Sequence, residues 1–104
     1  MATLASVQKE VESQIIRDYK ERFSGDVKLM LFLGLNEEAG EVAGLMKRVL
    51  RNFPKDKERI THEHFVEELG DVLWYLAACC AMCNTSLEEI WEYNIEKLKE
   101  RYGE

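Results

Sequence analysis

The chain has 104 residues and carries 20 acidic against 14 basic side chains, which gives a formal net charge of −6. That length corresponds to one domain, so we expect a single domain over residues 1–104. The acidic balance argues against a nucleic-acid-binding protein, because duplex affinity depends on Lys and Arg side chains that neutralise phosphates. It does not exclude a nucleotide substrate if a metal ion lies between the protein and the phosphates.

The sequence gives no sign of a secreted or membrane protein. Its N-terminus has no basic segment followed by an apolar run, so no signal peptide is predicted. The longest apolar stretch, Val72 to Cys83, is 12 residues and too short to span a bilayer. All three cysteines lie in it, and an odd number on one helix cannot form a disulfide framework. We therefore expect a cytoplasmic protein with no membrane partner.

Apolar residues at three- and four-residue steps predict four helices joined by short connections. The predicted N-caps are Thr3, Asp26, Thr61 and Ser86, and Ser86 begins a capping box with Glu89. The helices are expected over residues 4–23, over residues 26–52, from Thr61 through the apolar stretch, and from Ser86 to Tyr102, with a charged loop from Lys55 to Ile60.

This pattern is typical of an all-α fold, a four-helix bundle. From Val72 onward the third helix is apolar all round, more than a thin bundle can cover. We therefore expect this helix to be central and the protein to be an oligomer.

Two acidic motifs of the same form lie on the second and third helices, Glu37-Glu38-x-x-Glu41 and Glu67-Glu68-x-x-Asp71. Residues three apart share one face of a helix. Glu38 interrupts an otherwise apolar stripe, and the carboxylates at positions 41, 68 and 71 border the core-facing sectors. Inward-facing carboxylates are costly unless they are paired or bound to a metal.

A divalent cation resolves the repulsion among these carboxylates. Two like charges ~4 Å apart repel by about 1 kcal/mol in water and about 4 kcal/mol at an effective dielectric constant of 20. Oxygen ligands suit Mg²⁺ or Mn²⁺ better than Zn²⁺. Either motif alone is more typical of a solvated surface, but their repetition on the apolar side of two helices favours a metal site.

The segments NEEAGEVA at residues 36–43 and EELGDVLWYL at residues 67–76 resemble the MazG-type nucleotide pyrophosphohydrolases, members of the all-α NTP pyrophosphatase superfamily. The resemblance covers both motifs, their order, the helix layout and the ending Asn94-x-x-Lys97-x-x-x-Arg101. It implies Mg²⁺-dependent hydrolysis of nucleoside triphosphates, deoxy or non-standard, to the monophosphate and pyrophosphate. Such an activity serves as housecleaning of the nucleotide pool.

The resemblance also implies roles for individual residues. Flanking acids of the motifs are expected to orient water or a metal ligand, and a neighbouring carboxylate to accept a proton from the attacking water. The cofactor is expected to be Mg²⁺, with Mn²⁺ as the alternative. By position the metal ligands are Glu38, Glu41, Glu68 and Asp71, and the catalytic acids are Glu37, Glu38, Glu41 and Glu67.

Basic and polar residues of the last helix complete the predicted site. Asn94, Lys97 and Arg101 share one face, where the two cations could hold phosphate oxygens and Asn94 the sugar or a phosphate. The alternative is an ordinary solvated helix end, where basic residues suit the dipole. A second basic set comprises Lys47, Arg48 and Arg51; the first two could reach phosphate, but a surface or inter-subunit role is favoured.

Several other residues with site chemistry fit packing or capping better. The two histidines point about 160° apart on a helix, and cysteines in an apolar run are usually core residues. These residues are Cys80 and Cys83, His62 and His64, and the aromatics Trp74, Tyr75 and Trp91.

Two functions remain open at this point. The first is the pyrophosphohydrolase, favoured because the ligand set and the polar residues of the last helix occur together. The alternative is a non-catalytic, metal-stabilised helical assembly or regulatory module. The expected partners are a nucleoside triphosphate and further copies of the chain, in a homodimer or homotetramer, with no nucleic acid.

Overall fold

The computed structural model describes residues 1–19, 25–52 and 61–103, without the side chain of Asn52. These ranges contain four helices and no strand, which confirms the all-α fold. The expected loop from Lys55 to Ile60 and residues 20–23 of the expected first helix lie outside the described residues. The helices are α1 (Leu4–Asp18), α2 (Gly25–Asn52), α3 (His62–Met82) and α4 (Leu87–Tyr102).

Helix α1 begins with a capping box and ends earlier than expected. The Thr3 hydroxyl accepts from the Ser6 amide at 3.0 Å, and the Ser6 hydroxyl accepts from the Thr3 amide at 2.8 Å. At the other end Tyr19 has an extended backbone, although its amide still donates to the Ile15 carbonyl. The Tyr19 side chain packs against the core from this extended position. The prediction that residue 19 is helical was therefore wrong.

The predicted caps of α1, α3 and α4 are confirmed, whereas that of α2 is wrong. Thr61 accepts from an amide in the first turn of α3, and Ser86 does so in α4. Helix α2 begins at Gly25, so Asp26 lies inside its first turn. Its carboxylate is nevertheless at the positive end of the helix dipole.

Only half of the predicted capping box at Ser86 is formed. The Ser86 hydroxyl accepts from the Glu89 amide at 3.1 Å. The Glu89 carboxylate accepts instead from the hydroxyl of Thr85, the residue before the cap. The carboxylate therefore holds the entering chain rather than the Ser86 amide.

Helix α3 is the centre of the fold, as expected. Helices α1 and α4 pack against it and against each other, while α2, within the described residues, packs against α3 alone. Residues 77–80 of α3 are buried. The core cluster consists of Val11, Ile15, Leu31, Ala77, Ala78, Cys80 and Leu87.

A buried amide joins the three helices on one side of this core. Gln8 of α1 donates to the Ala77 carbonyl at 3.0 Å and accepts from the Leu87 amide at 3.0 Å. Leu87 is the first residue of α4, where a backbone amide has no partner within its own helix. Gln8 therefore fixes the start of α4 against both α1 and α3.

Helix α2 leaves a large apolar face uncovered. Leu33 is 60% exposed and Leu50 is 76% exposed. The radius of gyration is 16.6 Å, against about 13 Å for a compact chain of this length. The sequence predicts an excess of apolar surface on α3 from Val72 onward. In the structure, much of that segment is buried by the rest of the chain. The exposed apolar residues of α2 are Leu29, Met30, Phe32, Leu33, Met46 and Leu50.

None of the described helices combines the length and the apolar character that crossing a membrane requires.

Candidate active site

Helices α2 and α3 run antiparallel along the face that carries the acidic motifs. Gly34 of α2 lies against the ring of Tyr75, and Glu38, one turn later on α2, lies beside Asp71, one turn earlier on α3. Because residues four apart share a face, both pairs belong to the same helix interface. The interface therefore brings Glu38 of the first motif to the second motif.

Three carboxylates meet between these helices. One carboxylate oxygen of each of Glu38, Glu68 and Asp71 lies within 4.8 Å of the others. Glu38 and Glu68 are half-buried and Asp71 is exposed. We call these three residues the carboxylate cluster.

The cluster is electrostatically costly without a cation. Partial burial raises the pKa of Glu38, and the charges of Asp71, Glu41, Glu68 and Glu37 raise it further. A divalent cation would offset this repulsion, and an all-oxygen donor set suits a hard ion such as Mg²⁺. The residues present therefore fit the metal that the sequence predicts.

Glu41, the fourth predicted ligand, lies beside the cluster rather than in it. It follows Glu38 by three residues, which places it a turn further along α2 and about 60° around the helix. Together with Glu37 and Glu68 it lines a depression of about 370 Å³ between α2 and α3. Since Glu68 belongs to both, the cluster and this acidic depression are continuous. The depression is lined by Glu37, Gly40, Glu41, Gly44, Leu45, Arg48, His64 and Glu68.

Glu67, the other flanking acid, is exposed and lies outside both features. Successive residues on a helix point about 100° apart, so Glu67 diverges from Glu68. Among the described residues, no contact of Glu67 supports the catalytic role predicted for it.

The polar residues predicted on α4 are placed elsewhere. Helix α4 packs against α1 and α3 and, within the described residues, does not contact α2. Asn94 lines an apolar cavity of about 580 Å³ with Leu73 and Trp91. Lys97 and Arg101 are exposed. A single chain therefore does not bring Asn94 to the carboxylates.

The structure adds two residues for which the sequence had favoured other roles, Arg48 and His64. Both line the acidic depression. The signal was present in the spacing: Arg48 follows Glu41 by seven residues, which is about two helical turns. His64 precedes Glu68 by four residues and so shares its face.

Comparison with known proteins agrees with this arrangement. Residues 28–104 match the MazG nucleotide pyrophosphohydrolase domain. The chain belongs to the MazG nucleotide pyrophosphohydrolase family. The matched residues include both acidic motifs, α3 and α4, and exclude α1. The resemblance drawn from the sequence is thereby confirmed, while a single domain over residues 1–104 stays a prediction.

Two relatives of this MazG chain are similar over about two thirds of its length. The Gene 37 protein of Mycobacterium phage L5 is 33% identical over 69 residues, which cover 66% of this chain and 60% of the phage protein. The uncharacterized protein YvdC of Bacillus subtilis (strain 168) is 36% identical over 73 residues, which cover 65% of this chain and 69% of YvdC. The chain thus spans less than two thirds of the phage relative.

Proposed function

We propose that this MazG chain hydrolyses nucleoside triphosphates to the monophosphate and pyrophosphate with the help of Mg²⁺. Deoxynucleoside or non-standard nucleoside triphosphates are the proposed substrates, and housecleaning of the nucleotide pool is the proposed role. The observation that supports this best is the meeting of Glu38, Glu68 and Asp71 within 4.8 Å across two helices. Mn²⁺ is the alternative ion, since it accepts the same oxygen ligands.

The carboxylate cluster would hold the cation at the edge of the acidic depression. When bound, such an ion neutralises phosphate charge and lowers the pKa of an attacking water. Glu38 and Glu68, being half-buried, are held between the helices, whereas exposed Asp71 faces the solvent side. An incoming polyphosphate would therefore reach the cluster past exposed Asp71 or through the acidic depression, which Glu68 lines.

Glu41 is our proposed proton acceptor. It lines the acidic depression with Glu37 but lies outside the three-carboxylate group, so its oxygens are not committed to that group. A carboxylate within hydrogen-bond reach of the attacking water can take its proton. Glu37, on the same wall, would orient that water.

A second copy of the chain is the proposed partner of the apolar face of α2. The helix has 28 residues, about 42 Å in length, and within the described residues it has one neighbouring helix. A face of exposed leucines and methionines on that scale is typical of an interface. Asn94, Lys97 and Arg101 stay proposed substrate contacts, and in an oligomer they would serve the site of another subunit.

Sedimentation of wild type and Leu33→Glu tests the oligomer. We expect wild type to sediment as a dimer or tetramer and the variant as a monomer, because the charge falls on the uncovered face. Ile16→Glu is the matched control, since Ile16 is 56% exposed on α1, away from this face. A monomeric wild type, or equal dissociation by both variants, would contradict the proposal.

Pyrophosphate release tests the activity. Wild type is incubated with Mg²⁺ and a panel of ribo-, deoxyribo- and non-standard nucleoside triphosphates, alongside Asp71→Asn, Glu68→Gln and Glu41→Gln. Glu63→Gln is the control, an exposed carboxylate on the same helix as Glu68. We expect release by wild type and the control, and a loss of at least about 100-fold in the three site variants, from removal of a ligand or of the base.

Two outcomes would reject this assignment. Release that is undiminished in the cluster variants would separate the activity from the carboxylates. Mg²⁺ binding without release from any triphosphate would favour the alternative, a metal-stabilised module without turnover.

A further inference from the structure

Two basic side chains lie in the acidic depression and have no part in the metal site. Arg48 reaches it from α2 and His64 from α3, so they come from both helices that form the carboxylate cluster. Among the described residues, neither side chain takes part in a hydrogen bond or an ion pair. Their side chains are therefore available to a ligand.

The structure separates Arg48 from its neighbours in sequence. Lys47 and Arg51 line a different, apolar cavity of about 590 Å³ with Met46 and Leu50, on the uncovered face of α2. Arg48 alone of this basic set lines the acidic depression. The set is thus divided between two faces of one helix, and only one member can meet a ligand beside the carboxylates.

The histidines divide in the same way. His64 is half-buried and lines the acidic depression, whereas His62, two residues earlier, is exposed and does not. Residues two apart on a helix point to nearly opposite sides. The chain therefore contains a matched pair of histidines, one inside the depression and one outside it.

The floor of the depression is open to a ligand. Gly40 and Gly44 have no atom within 4 Å of the point where a Cβ would lie, so both positions face free space. A volume of about 370 Å³ falls within the range of about 300–1,000 Å³ typical of small-molecule sites. Larger side chains at these two positions would occupy part of that volume.

We propose that Arg48 and His64 bind the polyphosphate chain of the substrate in the acidic depression, within a single subunit. This rests on the proposed function and names the residues that hold its substrate. The wall of Glu37, Glu41 and Glu68 repels a polyphosphate, so affinity needs positive charge and N–H donors beyond the cation. The Arg48 guanidinium offers a planar fork to phosphate oxygens, and the His64 imidazole offers an N–H.

The direct test measures binding of inorganic tripolyphosphate in the presence of Mg²⁺ by calorimetry. Tripolyphosphate has no nucleoside, so it reports on this contact even in a protein without turnover. We expect Arg48→Ala to weaken binding by about 10- to 100-fold and His64→Ala by about 3- to 10-fold, from loss of charged and neutral hydrogen bonds respectively.

Two matched controls accompany these variants, Arg51→Ala and His62→Ala. Each removes the same charge or ring from the same helix but from outside the depression, so we expect binding within about twofold of wild type. Arg48→Lys keeps the charge and loses the fork, and we expect an intermediate affinity. Circular dichroism of each variant verifies that the helices are retained.

Kinetics with a hydrolysed triphosphate give the second measurement. We expect Arg48→Ala to raise KM at least as much as it lowers kcat, because the contact forms when the substrate binds. Wild type that binds no tripolyphosphate with Mg²⁺, or Arg48→Ala and Arg51→Ala of equal effect, would overturn the proposal. Tripolyphosphate binding that depends on Arg48 in a protein without pyrophosphate release would reject the proposed activity and keep this site.

Discussion

Gly34 of α2 lies directly against the ring of Tyr75 of α3. A Cβ added at Gly34 would lie 2.6 Å from Cδ1 and 2.7 Å from Cζ of that ring. Real Cβ atoms do not approach so closely, so a larger residue at position 34 would require the Tyr75 ring or α2 to shift. Gly34 is one turn before Glu38 and Tyr75 one turn after Asp71, so the contact sets the helix separation at the carboxylate cluster.

Gly34→Ala should therefore weaken both the fold and the metal site. Either the Tyr75 ring or α2 must shift, and overpacking of this kind costs about 1–3 kcal/mol. We expect a lower free energy of unfolding in urea and a weaker affinity for Mn²⁺, measured by titration. The second effect follows because a shift of α2 moves Glu38 away from Asp71.

Gly70→Ala is the control for this substitution. Gly70 is exposed in the interior of α3, directly before Asp71, with no atom within 4 Å of a Cβ. Alanine there should stabilise the helix by up to about 1 kcal/mol. Equal destabilisation by Gly34→Ala and Gly70→Ala would mean that the Tyr75 contact does not control the spacing.

Gln8→Leu should destabilise the junction of α1, α3 and α4. The substitution keeps a side chain of similar size but leaves the Leu87 amide without a partner and removes the second hydrogen bond, beyond the helical one, from the Ala77 carbonyl. An unsatisfied buried amide costs about 1–3 kcal/mol. Gln14→Leu is the comparison, because Gln14 is half-exposed and accepts one bond, from the Trp74 indole. Urea unfolding of equal magnitude for the two variants would contradict the role of Gln8.

Local sequence signals were sufficient to predict the features that depend only on residues close together in the sequence. Thr61 and Ser86 cap their helices because a hydroxyl and an amide three residues later need no tertiary contact. The end of α1 was missed because Tyr19 leaves the helix where its side chain packs against the core. That packing involves residues from other helices, which periodicity in one segment does not contain.

The same distinction between local signals and tertiary packing holds for the candidate active site. The approach of Glu38 to Glu68 and Asp71 was anticipated because two motifs of equal spacing mark the facing sides of two helices. The separation of α4 from α2 was not anticipated, because it depends on which helices become neighbours in the fold. Arg48 could not be singled out because the sequence offers both Lys47 and Arg48 as phosphate contacts. Only the packing of α2 against α3 separates the one that lines the acidic depression.

The three cysteines should differ in reactivity. Burial raises the pKa of the Cys79 and Cys80 thiols, which lowers their thiolate fraction at neutral pH. Cys83, at the end of α3, is exposed, contrary to the core position expected for it. Alkylation of the native protein followed by mass spectrometry should label Cys83 first, and urea should make all three equally reactive. Rapid native labelling of Cys80 would contradict this burial.

Asp71→Asn should change stability in opposite directions without and with metal. The folded-state pKa of Glu38 is raised above its ordinary value, so the folded protein binds more protons than the unfolded chain between the two values. Unfolding free energy therefore falls as the pH rises through that interval, and the repulsion is fully present at neutral pH. In chelator, Asp71→Asn should be more stable than wild type at pH 7, with a difference that shrinks on acidification.

Magnesium should reverse this order. A ligand that binds the folded state stabilises it in proportion to the logarithm of its concentration over Kd, so wild type gains stability and Asp71→Asn, lacking a ligand, gains little. Asp18→Asn is the control, because Asp18 pairs with Arg17, which lowers its pKa, and lies on α1 outside the cluster. It should lose rather than gain stability in chelator, and it should respond to Mg²⁺ as wild type does. If Mg²⁺ does not change the thermal unfolding of wild type, the three carboxylates hold no metal.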